Sequence, residues 1–314
     1  MRPLLLLATA ASLVAPPAAA QDANFLYPPL LIEARLRDAQ LNLIDARGAR
    51  APGDRTMRIA LDLGGDTTLL AQLAKAAPGA STFNNEPRYE LAAYAIQKLF
   101  LGPDEYVVPP TVIRAVPTTW LRKYDEEAAS TFDGTASTLI VLQYWLLSVT
   151  DEDVWDRDRV RSDTVYARHV GNLNILTYLI RHNDSNKGNF LISTYAANPR
   201  VYAVDNGLAF RSELSDRGYE WRRLRVERLP HATVARLRAI SDQDLESLGV
   251  LVQFEEQGGL LAPVPVGPNL NPSRGVRHED GIVQLGLTRA EIGDLRSRLQ
   301  SLLKDVDEGK LTVF

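Results

Sequence analysis

Apolar and polar positions along this chain change period several times, and each change marks an element. Residues 57–63 (Met-Arg-Ile-Ala-Leu-Asp-Leu) alternate and predict a strand, with Gly64-Gly65-Asp66 as a turn. Residues 67–75 predict a second strand, so a small antiparallel sheet is expected, its second strand ending near Lys75. The period then lengthens. Tyr89, Ala92, Ala93, Ile96, Leu99 and Phe100 recur at helical spacing, behind Asn84 or Asn85 as a cap and Pro87 in the first turn. Upstream, residues 24–40 mix helix and turn, broken early by Pro28-Pro29, and residues 46–54 read as a loop.

The run Val107-Val108-Pro109-Pro110-Thr111 is extended and stiff, and it places a boundary between a lobe at 21–108 and a second at 109–314. Beyond it, residues 136–147 and 169–180 are apolar enough to be buried, the second as a helix. Short strands are expected at 190–193 and 201–204. Helices follow at 232–240, at 242–251 and, after a Pro/Gly-rich loop at 263–275, at 289–304. No internal repeat is visible.

Composition narrows the class. The 314 residues are 45% hydrophobic and 24% charged, which is a globular balance. With 35 Lys+Arg against 39 Asp+Glu the net charge is -4, which argues against nucleic acid as a partner. No cysteine is present, so disulfides, thiolate zinc sites and cysteine nucleophiles are excluded. Residues 1–20 read as a signal peptide: Met1-Arg2, an apolar run at 4–14, and Ala18-Ala19-Ala20 before Gln21. That run is shorter than the roughly 20 residues a membrane span needs. The alternative, a buried N-terminal helix, fits the small-residue triplet less well. Export to a bacterial periplasm or beyond is therefore expected, and no later stretch is apolar enough to span a bilayer.

Candidate chemistry concentrates at residues 179–192, Leu-Ile-Arg-His-Asn-Asp-Ser-Asn-Lys-Gly-Asn-Phe-Leu-Ile. A buried helix ends in a polar loop holding His182, Asp184 and Asn189, and the chain re-enters the core as a strand. A second strand ends in Asp205-Asn206-Gly207. Two carboxylates and a carboxamide thus share one end of a hairpin-like unit. Hard oxygen ligands of this kind suit Mg²⁺, which takes one or two carboxylates together with substrate phosphates. The remaining carboxylate is free to orient a hydroxyl.

His182-x-Asp184-x-x-x-x-Asn189, followed by a strand and Asp205-Asn206-Gly207, resembles the catalytic loop and metal-binding motif of the protein-kinase-like superfamily. Asp-Asn-Gly in place of Asp-Phe-Gly is similar to the atypical secretory-pathway kinases, and Gly188-Asn189-Phe190-Leu191 to phosphoinositide kinases and small-molecule phosphotransferases. With no His-Arg-Asp, Asp-Phe-Gly or Ala-Pro-Glu, a conventional protein kinase is excluded. The resemblance spans about residues 56–210. It implies an α+β, bilobal fold with a small antiparallel-sheet lobe and a larger, mostly helical one.

It further implies ATP with Mg²⁺ or Mn²⁺ between the lobes. Asp184 would act on the acceptor hydroxyl, Asn189 and Asp205 would hold the metal, Lys75 would hold the nucleotide phosphates, and Glu90 would pair with Lys75. Glu86 competes with Glu90 but sits at the first turn beside a proline. Gly64-Gly65 is where a phosphate-covering turn would lie, although G-x-G-x-x-G is absent.

Each residue also has a plainer reading. Asp184 suits a loop turn, Asn206-Gly207 a type I′ hairpin turn, Lys75 a solvated strand end, and His182 a support for the loop backbone. The four tryptophans read as packing residues. The run Trp221-Arg222-Arg223-Leu224-Arg225-Val226-Glu227-Arg228 reads as a solvated face or a surface for an anionic substrate. Three functions stay open at this point: phosphoryl transfer to a protein, lipid or small-molecule acceptor, AMP transfer, and nucleotide binding or interaction without turnover.

Overall fold

Period-two burial builds the first sheet. The computed structural model describes residues 24–48, 56–62, 64, 68–82, 86–211 and 216–314, and the structural statements below concern those residues. Helix α1 (Pro29–Asp38) buries Ile32 and Leu36. Strands β1 (Asn42–Gly48), β2 (Thr56–Asp62) and β3 (Thr68–Lys75) follow, with the second and third within a residue of expectation. In β3, Leu69, Ala71 and Leu73 are fully buried, so Lys75 shares their face. Part of the expected 46–54 loop is strand instead, because β1 pairs antiparallel with β2.

Helix α2 (Pro87–Phe100) begins with Pro87 in its first turn, where a missing N–H costs nothing. The expected caps Asn84 and Asn85 lie outside the described residues, and Glu86 occupies the cap position without a side-chain capping bond. Tyr89, Ala92, Ala93, Ile96 and Phe100 are buried as the spacing predicts.

Strand β4 (Thr111–Pro117), the short helix α3 (Thr118–Leu121) and strand β5 (Ser137–Tyr144) then complete one five-stranded sheet, in the order β1-β2-β3-β5-β4. This corrects the boundary expected at 108/109. The prolines do stiffen the chain, but they lead into an edge strand of the same sheet, where a missing N–H is tolerated, and the Pro110 carbonyl accepts from Tyr144 N. The sheet lobe ends after Tyr144.

The next region carries β6 (Val149–Thr150), α4 (Arg157–Ser162), α5 (Thr164–Leu179), β7 (Phe190–Ser193) and β8 (Val201–Ala203). Helix α5 is capped by Asp163, whose carboxylate accepts from Val165 N and Tyr166 N, and it is buried on most of its circumference as the central helix of the larger lobe. Strands β6, β7 and β8 form a small sheet.

After β9 (Arg228–Leu229) come α6 (His231–Ala239) and α7 (Asp242–Ser247), then β10 (Val252–Gln257), β11 (Leu260–Val264), β12 (Val276–Glu279) and β13 (Ile282–Leu285), and finally α8 (Arg289–Asp307) and β14 (Thr312–Val313). The helices lie close to expectation, although the second is shorter. The four-stranded sheet in order β11-β10-β13-β12 was not expected. Its two hairpins turn through Gly258-Gly259 and Asp280-Gly281, all four residues at positive φ as two-residue type I′ loops require.

This second sheet places Phe254, Leu261, Val283 and Leu285 against Ile113, Leu139 and Val141 on one face of the first sheet. The other face carries Leu69, Ala71 and Leu73 and packs on Phe25, Ile32 and Leu36, with Leu191 and Val204 joining the same cluster. Phe254 is 1% exposed, so Phe254→Ala is expected to destabilise the protein by about 3–5 kcal/mol. Exposed Val266→Ala should cost almost nothing. Denaturant midpoints of the two variants check this, and equal midpoints would mean that the second sheet is not part of the cooperative core.

Candidate active site

The loop after α5 is set by a helix-ending motif. Arg181 takes a left-handed conformation at φ 54, its N–H bonds Tyr178 O, and the His182 N–H reaches back to Thr177 O at 2.8 Å. This is the Schellman pattern that usually ends on glycine; a non-glycine residue in that region costs about 1 kcal/mol. The turn delivers His182 into the interior, where its ring packs on Phe190 at 5.0 Å.

His182 Nε2 faces the carbonyl oxygen of Asp205 at 2.9 Å, and its Nδ1 faces Asp184 N at 3.4 Å. A carbonyl only accepts and a backbone N–H only donates, so the ring is neutral with its proton on Nε2. Burial lowers its pKa to about 4. The side chain ties the two acidic segments together, which matches the plainer reading of a backbone support.

Asp184 is buried, with Oδ1 accepting from Asn186 N at 3.2 Å and Oδ2 from Arg217 Nη1 at 3.3 Å. Asn189 Nδ2 points to Asp184 O at 3.4 Å, and Val204 N donates to Asn189 O at 3.0 Å. The β7–β8 pairing therefore holds Asn189 and Asp205 at one end of the hairpin. Gly207 N approaches Asp205 Oδ1 at 3.4 Å. Neither Asn206 nor Gly207 has a positive φ, so the segment is not a type I′ turn. Gly207 lies close to both carboxyls: a Cβ there would stand 3.3 Å from Glu90 Oε1, a tight contact, and 3.6 Å from Asp205 Oδ1, an ordinary one.

Glu90 belongs to this group. Its Oε1 accepts from Asn206 N at 2.9 Å, and its buried carboxyl lies against the Asp205 carboxylate, to which it hydrogen-bonds when protonated. The Asn206 amide lies beside it and eases its charge, but makes no hydrogen bond of ordinary geometry. Burial first, and the Asp205 carboxylate second, push the Glu90 pKa well above the usual carboxylate range. Asp205 is raised by its enclosed setting and by Asp184. Its side chain nevertheless opens to solvent, so water screens part of that shift, and Glu90 is the carboxyl that keeps the proton.

The expected Lys75–Glu90 ion pair is corrected by these contacts. Lys75 Nζ pairs with Asp125, on the loop between α3 and β5, and Glu90 faces Asn206 and Asp205. Residue Asp125 was missed, and its acidic neighbourhood Asp125-Glu126-Glu127 offers no spacing that would have singled it out. Glu86, the competitor, accepts from Arg88 Nε at 3.1 Å and from Ser81 Oγ at 2.6 Å, a structural role at the start of α2. Gly64 has φ 79, and Gly65 lies outside the described residues.

Among the described residues no three His, Asp or Glu side chains by themselves enclose a metal ion. The donor set still fits a hard cation. The Glu90 carboxyl and the solvent-open Asp205 carboxylate lie side by side with Asn189 at the same end of the hairpin, an all-oxygen donor set of the kind Mg²⁺ completes with phosphates and water.

Two lobes, an antiparallel sheet above a largely helical body and an acidic loop between them define an α+β, protein-kinase-like fold. The solved structure of hydra Fam20 with sugar is similar, with a TM-score of 0.52 and 13% sequence identity over 88% of this chain and 89% of that chain. The likeness is one of fold. No protein-family model matches the sequence, and no curated protein does.

Two buried imidazoles make stability depend on pH. Burial lowers both His169 and His182 to about 4 from an ordinary value of 6.5. The unfolded chain then binds more protons between those values, so their contribution is full above pH 6.5 and is lost as pH falls toward 4. The scale is roughly 3 kcal/mol for each ring over the whole interval. Denaturant unfolding near neutral and near acidic pH should show this slope, and His182→Gln should flatten it. A slope unchanged by that substitution would contradict the neutral, buried ring.

Proposed function

We propose that this chain is an exported, atypical kinase-like phosphotransferase using ATP and Mg²⁺ or Mn²⁺, with a hydroxyl acceptor on a protein, lipid or small molecule. The observation that carries the reading is the convergence of Asp184, Asn189 and Asp205 at one end of the β7–β8 hairpin, beside Glu90.

Asp184 would orient or deprotonate the acceptor hydroxyl, for which Arg217 must yield its place on Oδ2. Asp205 and Asn189 would hold the metal, with Glu90 giving up its proton to join them. A bound cation would neutralise charge on the transferring phosphoryl group. Lys75 would hold the nucleotide phosphates. It lies on the sheet face whose cluster includes Leu191 and Val204, the neighbours of the site.

A second reading is nucleotide binding without turnover. It is favoured by the missing glycine-rich pattern and by the scarcity of ATP in a periplasm. Saturable ATP binding with no product separates it from catalysis, and the mass added to an acceptor separates phosphoryl from AMP transfer.

The acidic residues should divide by role. Asp205→Ala is expected to abolish metal-dependent nucleotide binding and turnover. Asp184→Asn should keep nucleotide binding while turnover falls by roughly 10²–10⁴-fold. Asn189→Ala should weaken metal affinity with the fold intact. ATP titrations with and without metal, beside turnover assays, test all three, and parental behaviour in every variant would make the loop structural.

Export rests on residues 1–20, which lie outside the described residues. Gln21 is expected as the mature N-terminus, to be read by N-terminal sequencing of protein recovered outside the cytoplasm. An intact Met1 in a cytoplasmic pool would refute export.

A further inference from the structure

The loop between α3 and β5 reaches the lysine assigned above to nucleotide phosphates. Leu121 and Ala128 bracket it and are buried in the cluster on the Lys75 face of the first sheet. Between them, Asp125 directs Oδ2 at Lys75 Nζ. Its other oxygen accepts from Glu127 N at 3.2 Å, and its own N–H bonds Leu121 O at 3.0 Å. Ala128 N donates to Asp125 O at 3.0 Å, and Arg122 Nε donates to Ala128 O at 2.9 Å. The carboxylate is thus held from its own side before it meets the lysine. The two charges are 22% and 21% exposed, sheltered but within reach of water.

The helix carboxylate that could compete is engaged elsewhere. Glu90 accepts from Asn206 N, and Gly207 leaves room for it beside Asp205. We propose that Asp125 is the positioning residue for Lys75, holding its ammonium for the phosphates of a nucleoside triphosphate, while Glu90 serves the carboxylate group around Asp205. The proposal rests on the phosphotransferase reading and deepens it.

An ammonium has three donors, so the Asp125 contact does not by itself exhaust what Lys75 can give to phosphate oxygens. A partly screened ion pair adds little to stability, and its effect here is to fix where the positive charge sits before a ligand arrives.

The first test needs no nucleotide. An amine-reactive ester is applied briefly to the folded protein and labelling of Lys75 is read by peptide mass spectrometry. Asp125→Asn should speed labelling several-fold, and Glu90→Gln should leave it at the parental rate. The reverse pattern would assign Lys75 to Glu90 and overturn the proposal.

The second test titrates ATP with Mg²⁺. Asp125→Asn should weaken affinity about tenfold, the scale of one charge-assisted hydrogen bond, and raise KM more than it lowers kcat. Combined with Lys75→Met it should add no further loss. Tighter ATP binding in Asp125→Asn would mean that Asp125 competes with the phosphates, and additive losses would mean that the residues act separately. Either result overturns the proposal. Parental protein that binds no ATP yet shows the labelling contrast keeps the Lys75–Asp125 assignment and overturns the phosphotransferase reading instead.

Discussion

Repulsion among the carboxylates of Glu90, Asp184 and Asp205 is the constraint to which the rest of the site answers. Burial and the Asp205 charge raise the cost of ionising Glu90, burial and the Asp184 charge raise that of Asp205, and the Glu90 carboxyl eases Asp205 by hydrogen bonding to it. Without compensation such crowding would drive the hairpin and α2 apart. Compensation comes from a retained proton on Glu90, from the N–H groups of Asn206 and Asn186, and from Arg217 on Asp184. A cation would relieve the same strain more completely, and this links the resting geometry to the proposed chemistry.

Holding α2 against that repulsion takes contacts along its length. At its start Arg88 donates to Glu291 on α8 at 2.7 Å and 3.0 Å and to Glu86 at 3.1 Å, with Tyr89 closing the network through its hydroxyl. In its last turn, Gln97 donates to Val108 O and accepts from the N–H groups of Val107 and Val108, all at 2.8 Å. Near its end Lys98 pairs with Glu33 on α1. Burying Arg88 unpaired would cost several kcal/mol, so its carboxylates are required for the helix to sit where it does. Glu90 is carried into place by these neighbours.

The second sheet extends the same logic to the first sheet. Packing β10–β13 on one face leaves the other face to receive α1, the loop with Asp125, and Leu191 and Val204 from the hairpin. Covering both faces gives Lys75 and Asp125 fixed backbones on which to meet. The two hairpins are encoded locally, since Gly258-Gly259 and Asp280-Gly281 stand between short alternating runs, but the prolines and glycines of 263–275 between them give the region the composition of a loop.

By itself the sequence determined what is local: the alternation of β2 and β3, the stripe of α2, the buried helix that ends at the polar loop, and the Asp184, Asn189 and Asp205 spacing that the β7–β8 pairing gathers at one end. Their partners lie within a few residues or one hairpin, so periodicity and spacing encode them. Only the tertiary structure decided the limits of the sheet lobe, the pairing of Lys75 with Asp125 fifty positions away, and the approach of Glu90 to Asn206 across 116 positions. Such contacts leave no periodic trace, because they depend on which surfaces fill each other's volume. A carboxylate on an irregular loop and one on a helix are equal candidates for a lysine until packing fixes the distance to each.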